Sequence, residues 1–324
     1  MSYTTKKFIL GPNDADRRLD RIIRSFLNDV PLSGIYRMFR DGNVRVSGKK
    51  AEGSYRTRKG DLVEIRLPAR DLALAQGRPE RDSSLLDTGD EARSFTGMIL
   101  VENPDLAVIN KPRGMLTHGQ GGVDEAAAAY YRDRAAESIA FIPAPLHRLD
   151  RNTSGALAVS ASLAGAVAFS AALRSGLIEK TYLALLGGEL RHEETWIDTV
   201  SRDSAAGVTS VQESGKHAEA HARPLLCRNG YTLASIRLGT GRTHQIRVQA
   251  AAHGYALAGD SKYGGRRLEG GYLLHCARLG LPAGICGPDE LIVTAPLPAE
   301  AIHALAALFG KGFFECLPPG TAPL

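Results

Sequence analysis

His147-Arg148-Leu149-Asp150-Arg151-Asn152-Thr153-Ser154-Gly155 sets one carboxylate between two guanidinium groups and follows it with a turn-forming Asn-Thr-Ser-Gly. Nearby positive charge favours the ionised form of an aspartate. An ionised, positioned carboxylate can attack or stabilise an electron-poor carbon. Guanidinium groups can also hold phosphates. Most short strings of this kind are solvated surface or structural ion pairs, so the surrounding chain has to decide between the two readings.

The chain has 324 residues, 44% of them hydrophobic and 23% charged, as in a globular protein with a large core and more than one domain. No apolar run reaches the roughly 18 residues of a membrane span. The start, Met1 to Pro12, lacks the apolar stretch and small-residue cleavage site of a signal peptide. A cytoplasmic monomer without membrane contact is the expectation. Cys227, Cys276, Cys286 and Cys316 form no close pair, which argues against a disulfide framework or a zinc site.

The charge is unevenly spread. Residues 1–70 hold 16 Lys and Arg against 8 Asp and Glu, and the rest of the chain holds 24 against 27. That asymmetry suggests a polyanion-binding module joined to a nearly neutral body. Within the module, Leu19, Ile22, Ile23, Phe26 and Leu27 share one helical face over residues 17–29, and Arg17, Arg18, Arg21 and Arg24 share the other. Pro31 ends that helix. Ser33 can cap a second one containing Ile35, Met38 and Phe39, which stops at Asp41-Gly42. Val44 and Val46 alternate as in a half-buried strand, Ser47-Gly48 turns the chain, and Val63, Ile65 and Leu67 read as a closing strand. The stretch from Val30 to Val46, with Arg37, Arg40 and Arg45, resembles the αL RNA-binding motif of ribosomal and RNA-modifying proteins, and this implies that Arg21, Arg37, Arg40 and Arg45 contact RNA.

Residues 71–94, rich in Gly, Pro, Ser and charge, read as a linker. Residues 98–101 and 106–109 flank the turn Glu102-Asn103-Pro104-Asp105, a hairpin that opens a second domain over 95–324.

Four further segments carry polar groups. Asn110-Lys111-Pro112-Arg113-Gly114 leaves a strand for a loop able to bring a positive charge to a site. Lys180-Thr181-Tyr182-Leu183 reads as a strand with Tyr182 on one face. Gly239-Thr240-Gly241-Arg242-Thr243 opens a helix that ends near Gly254, with Thr243 as its cap and Arg247 one turn on. Arginine in a first turn opposes the helix dipole, a local cost that function or an ion pair would explain. Gly259-Asp260-Ser261-Lys262-Tyr263-Gly264 is a polar turn able to line a cleft. No dinucleotide fingerprint, phosphate-binding Gly-Lys-Ser/Thr loop or helical histidine pair is present, so no dinucleotide, ATP or metal is indicated.

Taken in order, these segments resemble the RluA-type pseudouridine synthases, and the basic N-terminal module is most similar to the RluC-like branch acting on large-subunit ribosomal RNA. The resemblance implies an α+β fold: a small αL module, then a catalytic domain with a mixed, mainly antiparallel sheet. It implies that Asp150 is the catalytic aspartate, Tyr182 the active-site tyrosine and Arg247 the arginine paired with the aspartate. Arg148 matches the residue associated with the space left when the target base leaves the stack, and Lys111 and Arg242 join the expected RNA contacts. Gln249 stands where many relatives have histidine. Uridine isomerisation adds and removes no group, so no cofactor is implied. A carboxylate at the sugar face suits glycosidic chemistry, and Tyr182 is a candidate general base if its surroundings help. Two alternatives stay open: a non-catalytic RNA-binding or ribosome-assembly factor on the same fold, and the same chemistry on transfer RNA.

Overall fold

The computed structural model describes residues 3–27, 30–68, 88–132, 138–203 and 207–322. They divide into two compact units. One comprises 1–96, 125–144 and 160–164; the other comprises 97–124, 145–159 and 165–324.

In the first unit, α1 (Leu19–Phe26) and α2 (Leu32–Arg40) pack with a sheet of β1 (Tyr3–Ile9), β2 (Val44–Val46), β3 (Lys49–Lys50) and β4 (Leu62–Pro68), ordered β1-β4-β2-β3. The apolar periodicity explains the packing: Leu19, Ile22, Ile23, Ile35, Met38, Phe39, Val44, Val63, Ile65 and Leu67 form one buried cluster. Ser47 and Gly48 both take positive φ, which is the geometry of a tight turn joining β2 to β3. Ser33 is not a cap. Pro31 occupies the N-cap position of α2 without a side-chain hydrogen bond, because its fixed extended geometry already starts the helix at Leu32. β1 escapes the periodicity argument since five of its seven residues are exposed and its apolar groups do not alternate. Of the expected linker, 71–87 lie outside the described residues, and α3 (Thr88–Met98) begins where the linker was expected to continue.

In the second unit, ten strands form one sheet. They are β5 (Ile99–Glu102), β6 (Leu106–Lys111), β7 (Ser154–Ser160), β8 (Glu179–Gly187), β9 (Glu194–Asp203), β10 (Val208–Val211), β11 (Lys216–Arg228), β12 (Tyr231–Leu238), β13 (Leu274–Leu281) and β14 (Leu291–Thr294). The order is β10-β9-β11-β12-β8-β13-β7-β6-β5, with β14 on β13. β13 pairs with β7 in parallel and with β8 and β14 antiparallel, so the sheet is mixed and mainly antiparallel. The expected hairpin is β5–β6, and Asn103 Oδ1 accepts from the Asp105 and Leu106 amides at its turn.

The remaining helices are α4 (Val123–Tyr130), α5 (Leu163–Arg174), α6 (Gln245–Ala252) and α7 (Ala299–Phe309). α7 buries Leu305 and Phe309 with Leu183, Leu185 and Leu233 of the sheet. α6 sets Val248 against Val200 and Ala218. Among the described residues no helix is long and apolar enough to cross a membrane.

Candidate active site

Asp150 precedes β7 on a turn in which the Thr153 amide donates to the Asp150 carbonyl at 3.0 Å. Gly155 then enters β7 at φ +109°, so close to β13 that a Cβ there would stand 2.3 Å from the Cys276 carbonyl oxygen. Only glycine allows this approach. The turn is braced from below by the loop after β6. Lys111 is fully buried, and its Nζ donates to the carbonyls of Pro112, Met115 and Arg151 at 2.9, 2.8 and 3.3 Å. Thr117 Oγ1 donates to the Leu149 carbonyl at 2.7 Å.

These contacts correct two expectations. Lys111 cannot touch RNA, since all of its surface is covered; burial also lowers its pKa from 10.5 to about 8, opposed by the Asp150 charge. Arg151 does not flank the carboxylate, because its Nε donates to the Gly114 carbonyl at 3.0 Å.

The charge partner of Asp150 comes from α6. Arg247 Nη1 lies 3.5 Å from Asp150 Oδ2. Arg247 is held from behind by Asp260, with Nε to Oδ2 at 2.6 Å and Nη2 to Oδ1 at 2.8 Å, a bidentate pair. The rings of Tyr272 and Tyr263 lie against the guanidinium at 4.5 and 5.0 Å. Burial is the largest single influence and opposes the Arg247 charge, but the hydrogen bonds to Asp260 together with the charges of Tyr272, Asp260 and Asp150 outweigh it and raise the pKa. So the misplaced charge in the first helical turn is explained by an ion pair as well as by Asp150.

Thr243 does not cap α6. His244 takes that position in a left-handed conformation, φ 55° and ψ 22°. Its ring is used: Nδ1 meets the Tyr263 hydroxyl at 2.8 Å, and Nε2 lies 3.8 Å from Asp150 Oδ2. The Tyr263 oxygen already accepts from the Thr209 amide, so its proton is free to point at Nδ1. In the tautomer where the phenol donates to Nδ1, Nε2 carries the imidazole proton on the side of Asp150. Burial lowers the His244 pKa, and the Asp150 charge works the other way.

Tyr182 is 6% exposed and lines a cavity of about 470 Å³ together with Asp150, Arg148, Lys180 and Arg242. That volume suits a ligand pocket, which typically spans about 300–1,000 Å³. Burial raises the Tyr182 pKa well above 10, and the neighbouring Cys276 and Asp150 add to the rise. Tyr182 is therefore a neutral phenol, and the general-base role considered for it does not fit its surroundings. Arg148 is exposed at the mouth, and Arg242 is partly exposed with its Nε on the His217 carbonyl at 2.9 Å. Arg21, Arg37, Arg40 and Arg45 are exposed on the first unit. Gln249 is buried and donates to Asp198 Oδ2 at 2.7 Å, a packing role.

Asp260 and His244 were the residues without an assigned role in the sequence. The signals available were the Gly259-Asp260 turn and the first-turn arginine that needed a partner.

A family model described as RNA pseudouridylate synthase matches residues 105–252, the span from β6 to the end of α6. The chain is 32% identical over 256 residues to the ribosomal large subunit pseudouridine synthase C of Vibrio vulnificus (strain CMCP6), covering 79% of each chain. It is 30% identical over 305 residues to the protein of the same name in Vibrio cholerae, covering 91% of this chain and 94% of that one. The fold is also that of human RNA pseudouridylate synthase domain containing 4, with a TM-score of 0.57 at 21% identity over 67% of this chain and 95% of that chain. Motif order, sheet and site geometry agree with these likenesses, and the chain belongs to the RNA pseudouridine synthase family.

Proposed function

We propose that this protein isomerises uridine to pseudouridine in large-subunit ribosomal RNA, with Asp150 as the catalytic carboxylate. The observation that carries the reading is the meeting of Asp150, Arg247 and Tyr182 in a small hollow of about 50 Å³, which shares Asp150 and Tyr182 with the larger cavity, with Arg247 fixed by Asp260. The reaction breaks the N1–C1′ glycosidic bond, turns the uracil and forms a C5–C1′ bond; the C5 proton is then lost to solvent and N1 gains one, so no group enters or leaves overall. Positive charge develops at the anomeric carbon as the first bond breaks, and a carboxylate on the sugar face stabilises it. Arg247 aims that carboxylate, and Tyr182, a neutral phenol whose hydroxyl is engaged by Cys276, gives the base a flat apolar wall.

The target lies in folded RNA, so the nucleotide has to be flipped out of its stack before reaction. Arg148 at the mouth of the cavity is suited to the space that the base leaves. The exposed Arg21, Arg37, Arg40 and Arg45 supply salt-dependent affinity from the N-terminal unit. The names of the curated relatives support the choice of ribosomal RNA as substrate.

Tritium release from uracil-labelled large-subunit ribosomal RNA tests the reading. Wild type should release tritium, and Asp150→Asn, which keeps the size and removes the charge, should be slower by at least about a thousandfold. Equal rates in the two proteins would overturn the assignment of Asp150.

A further inference from the structure

A second cavity, of about 490 Å³, is lined by Arg223, Arg237, Arg278 and His221. Arg237 and His221 also line the cavity that holds Asp150, so the two cavities adjoin at these residues. The strand register explains the arrangement. His221 of β11 pairs with Arg237 of β12, Arg237 with Thr181 of β8, and Thr181 with Arg278 of β13. Directly paired residues point to the same face of a sheet. The four therefore form one row across the strands, on the face opposite Tyr182. Arg223, paired with Ser235, stands on that face two residues further along β11. Adjacent strands lie about 4.8 Å apart, which separates Arg237 from Arg278 by roughly 10 Å.

No ion pair holds Arg223, Arg237 or Arg278 among the described residues, and Arg278 Nε is buried with no hydrogen-bond partner. A buried, unpaired guanidinium nitrogen is costly without an anion to meet it. Acidic groups nearby do not cancel the row. Glu219 faces His221 and His217 at 3.0 and 3.5 Å rather than the arginines, and among the described residues Glu193 is the single carboxylate lining the second cavity.

We propose that Arg237, Arg278 and Arg223 bind backbone phosphates of the RNA segment adjoining the target nucleotide, guiding it around the strand ends and out of the Asp150 cavity. This rests on the uridine-isomerising function proposed above. The occupant is RNA because the row continues from the cavity where a nucleotide would react, and because unpaired guanidinium groups at strand spacing match a chain of phosphates.

The test uses the full chain, an in vitro transcript of large-subunit ribosomal RNA, and a short stem-loop cut from around the modified position. Arg223→Gln, Arg278→Gln and the double variant are compared with wild type across a salt series. For the transcript, Kd and KM should rise about tenfold in the double variant, and the slope of log Kd against log salt should fall by about 0.7 for each phosphate no longer neutralised. The rise should lie in KM rather than kcat, and the stem-loop should bind wild type and variants alike. Arg223 is exposed, so Arg223→Gln reads the slope in a folded protein even if Arg278→Gln misfolds. Unchanged Kd and slope in Arg223→Gln and the double variant would overturn the proposal. So would an equal loss for the stem-loop, which would mean that the row does not act on the flanking segment. Absence of pseudouridine in the wild-type reaction, with the Kd and slope changes present, would overturn the enzymatic reading and leave the RNA track standing.

Discussion

Asp260 grips Arg247 through two charge-assisted hydrogen bonds, at 2.6 and 2.8 Å, and leaves the remaining Nη1 directed at Asp150, 3.5 Å away. Both partners are buried, Asp260 at 1% and Arg247 at 6% exposure. Removing one member of a buried ion pair strands the other and typically costs about 3–5 kcal/mol. Asp260→Ala should lower the unfolding free energy by that order. It should also reduce kcat more than KM, because Arg247 loses its aim. Asp260→Asn should cost less on both counts, since the amide keeps one acceptor. Urea unfolding and single-turnover kinetics on the same preparations check this; a destabilised Asp260→Ala with wild-type kcat would show that Asp260 acts on stability alone.

Lys111 makes a different prediction from a surface lysine. Its ammonium closes three carbonyls beneath the Asp150 turn. Lys111→Met keeps much of the volume and leaves those carbonyls unpaired, at about 1–3 kcal/mol for each one left without water. Thermal unfolding should occur at a clearly lower temperature, and kcat should fall with the loosened turn. An RNA-contacting lysine would instead raise KM and leave the unfolding temperature where it was.

How much of this was legible in sequence depends on how local the cause is. The α1 and α2 faces and β2, β4, β5 and β6 follow from apolar spacing, so they could be read. β1 could not, because an exposed edge strand has no buried face to mark it. Asp150 and Arg247 were legible as charges out of place. Their distance was not, since 97 residues separate them along the chain. Lys111 was misread for the same reason: a lysine in a Pro-Gly loop is ordinarily solvated, and its burial is decided by the carbonyls of Met115 and Arg151 folding over it. The left-handed His244 also lay beyond reach, because it depends on Tyr263 receiving its ring.

Acid should destabilise the second unit through buried histidine. His275 is 1% exposed; its Nε2 donates to the Ala295 carbonyl at 3.0 Å, and its Nδ1 accepts from Ser154 Oγ at 2.8 Å. Burial lowers its pKa from 6.5 to about 4. The unfolded chain therefore takes up a proton that the folded one refuses. The stability concerned is present above pH 6.5 and is lost as pH falls toward 4, by an amount on the order of 3 kcal/mol. His147, lowered to about 3 by burial first and by Lys180 second, adds to the same slope. Urea midpoints measured between these pH values should fall steadily, and His275→Gln should flatten the decline. A His275→Gln protein with the wild-type slope would assign the acid sensitivity elsewhere.

The exposed arginines of the N-terminal unit should act on affinity alone. Arg21→Gln, Arg37→Gln and Arg45→Gln remove charge from surface positions, where substitutions usually change stability by no more than about 0.5 kcal/mol. Combined, they should weaken binding to the ribosomal transcript and reduce its salt dependence by about 0.7–0.9 for each phosphate they neutralise. Filter binding across a salt series measures both. Retained affinity with an unaltered slope would show that these side chains do not meet the backbone.

Gly155 and Gly114 separate two ways in which glycine seats Asp150. Gly155 has φ +109° and no room, with the Cys276 carbonyl oxygen 2.3 Å from where a Cβ would stand. Gly114 has φ +85° and nothing within 4 Å of its own Cβ position. A side chain at Gly114 meets only the backbone penalty of the left-handed region, roughly 1–2 kcal/mol. A side chain at Gly155 meets that penalty and must also push β7 off β13, two strands buried on both sides that cannot yield without leaving a void. Gly155→Ala should therefore be the more damaging by about 1–3 kcal/mol, and it should lower kcat, because Asp150 lies on the turn that leads into β7. Gly114→Ala should retain most activity. Equal urea midpoints for the two variants would mean that the turn, and not the β7–β13 contact, sets the position of the carboxylate.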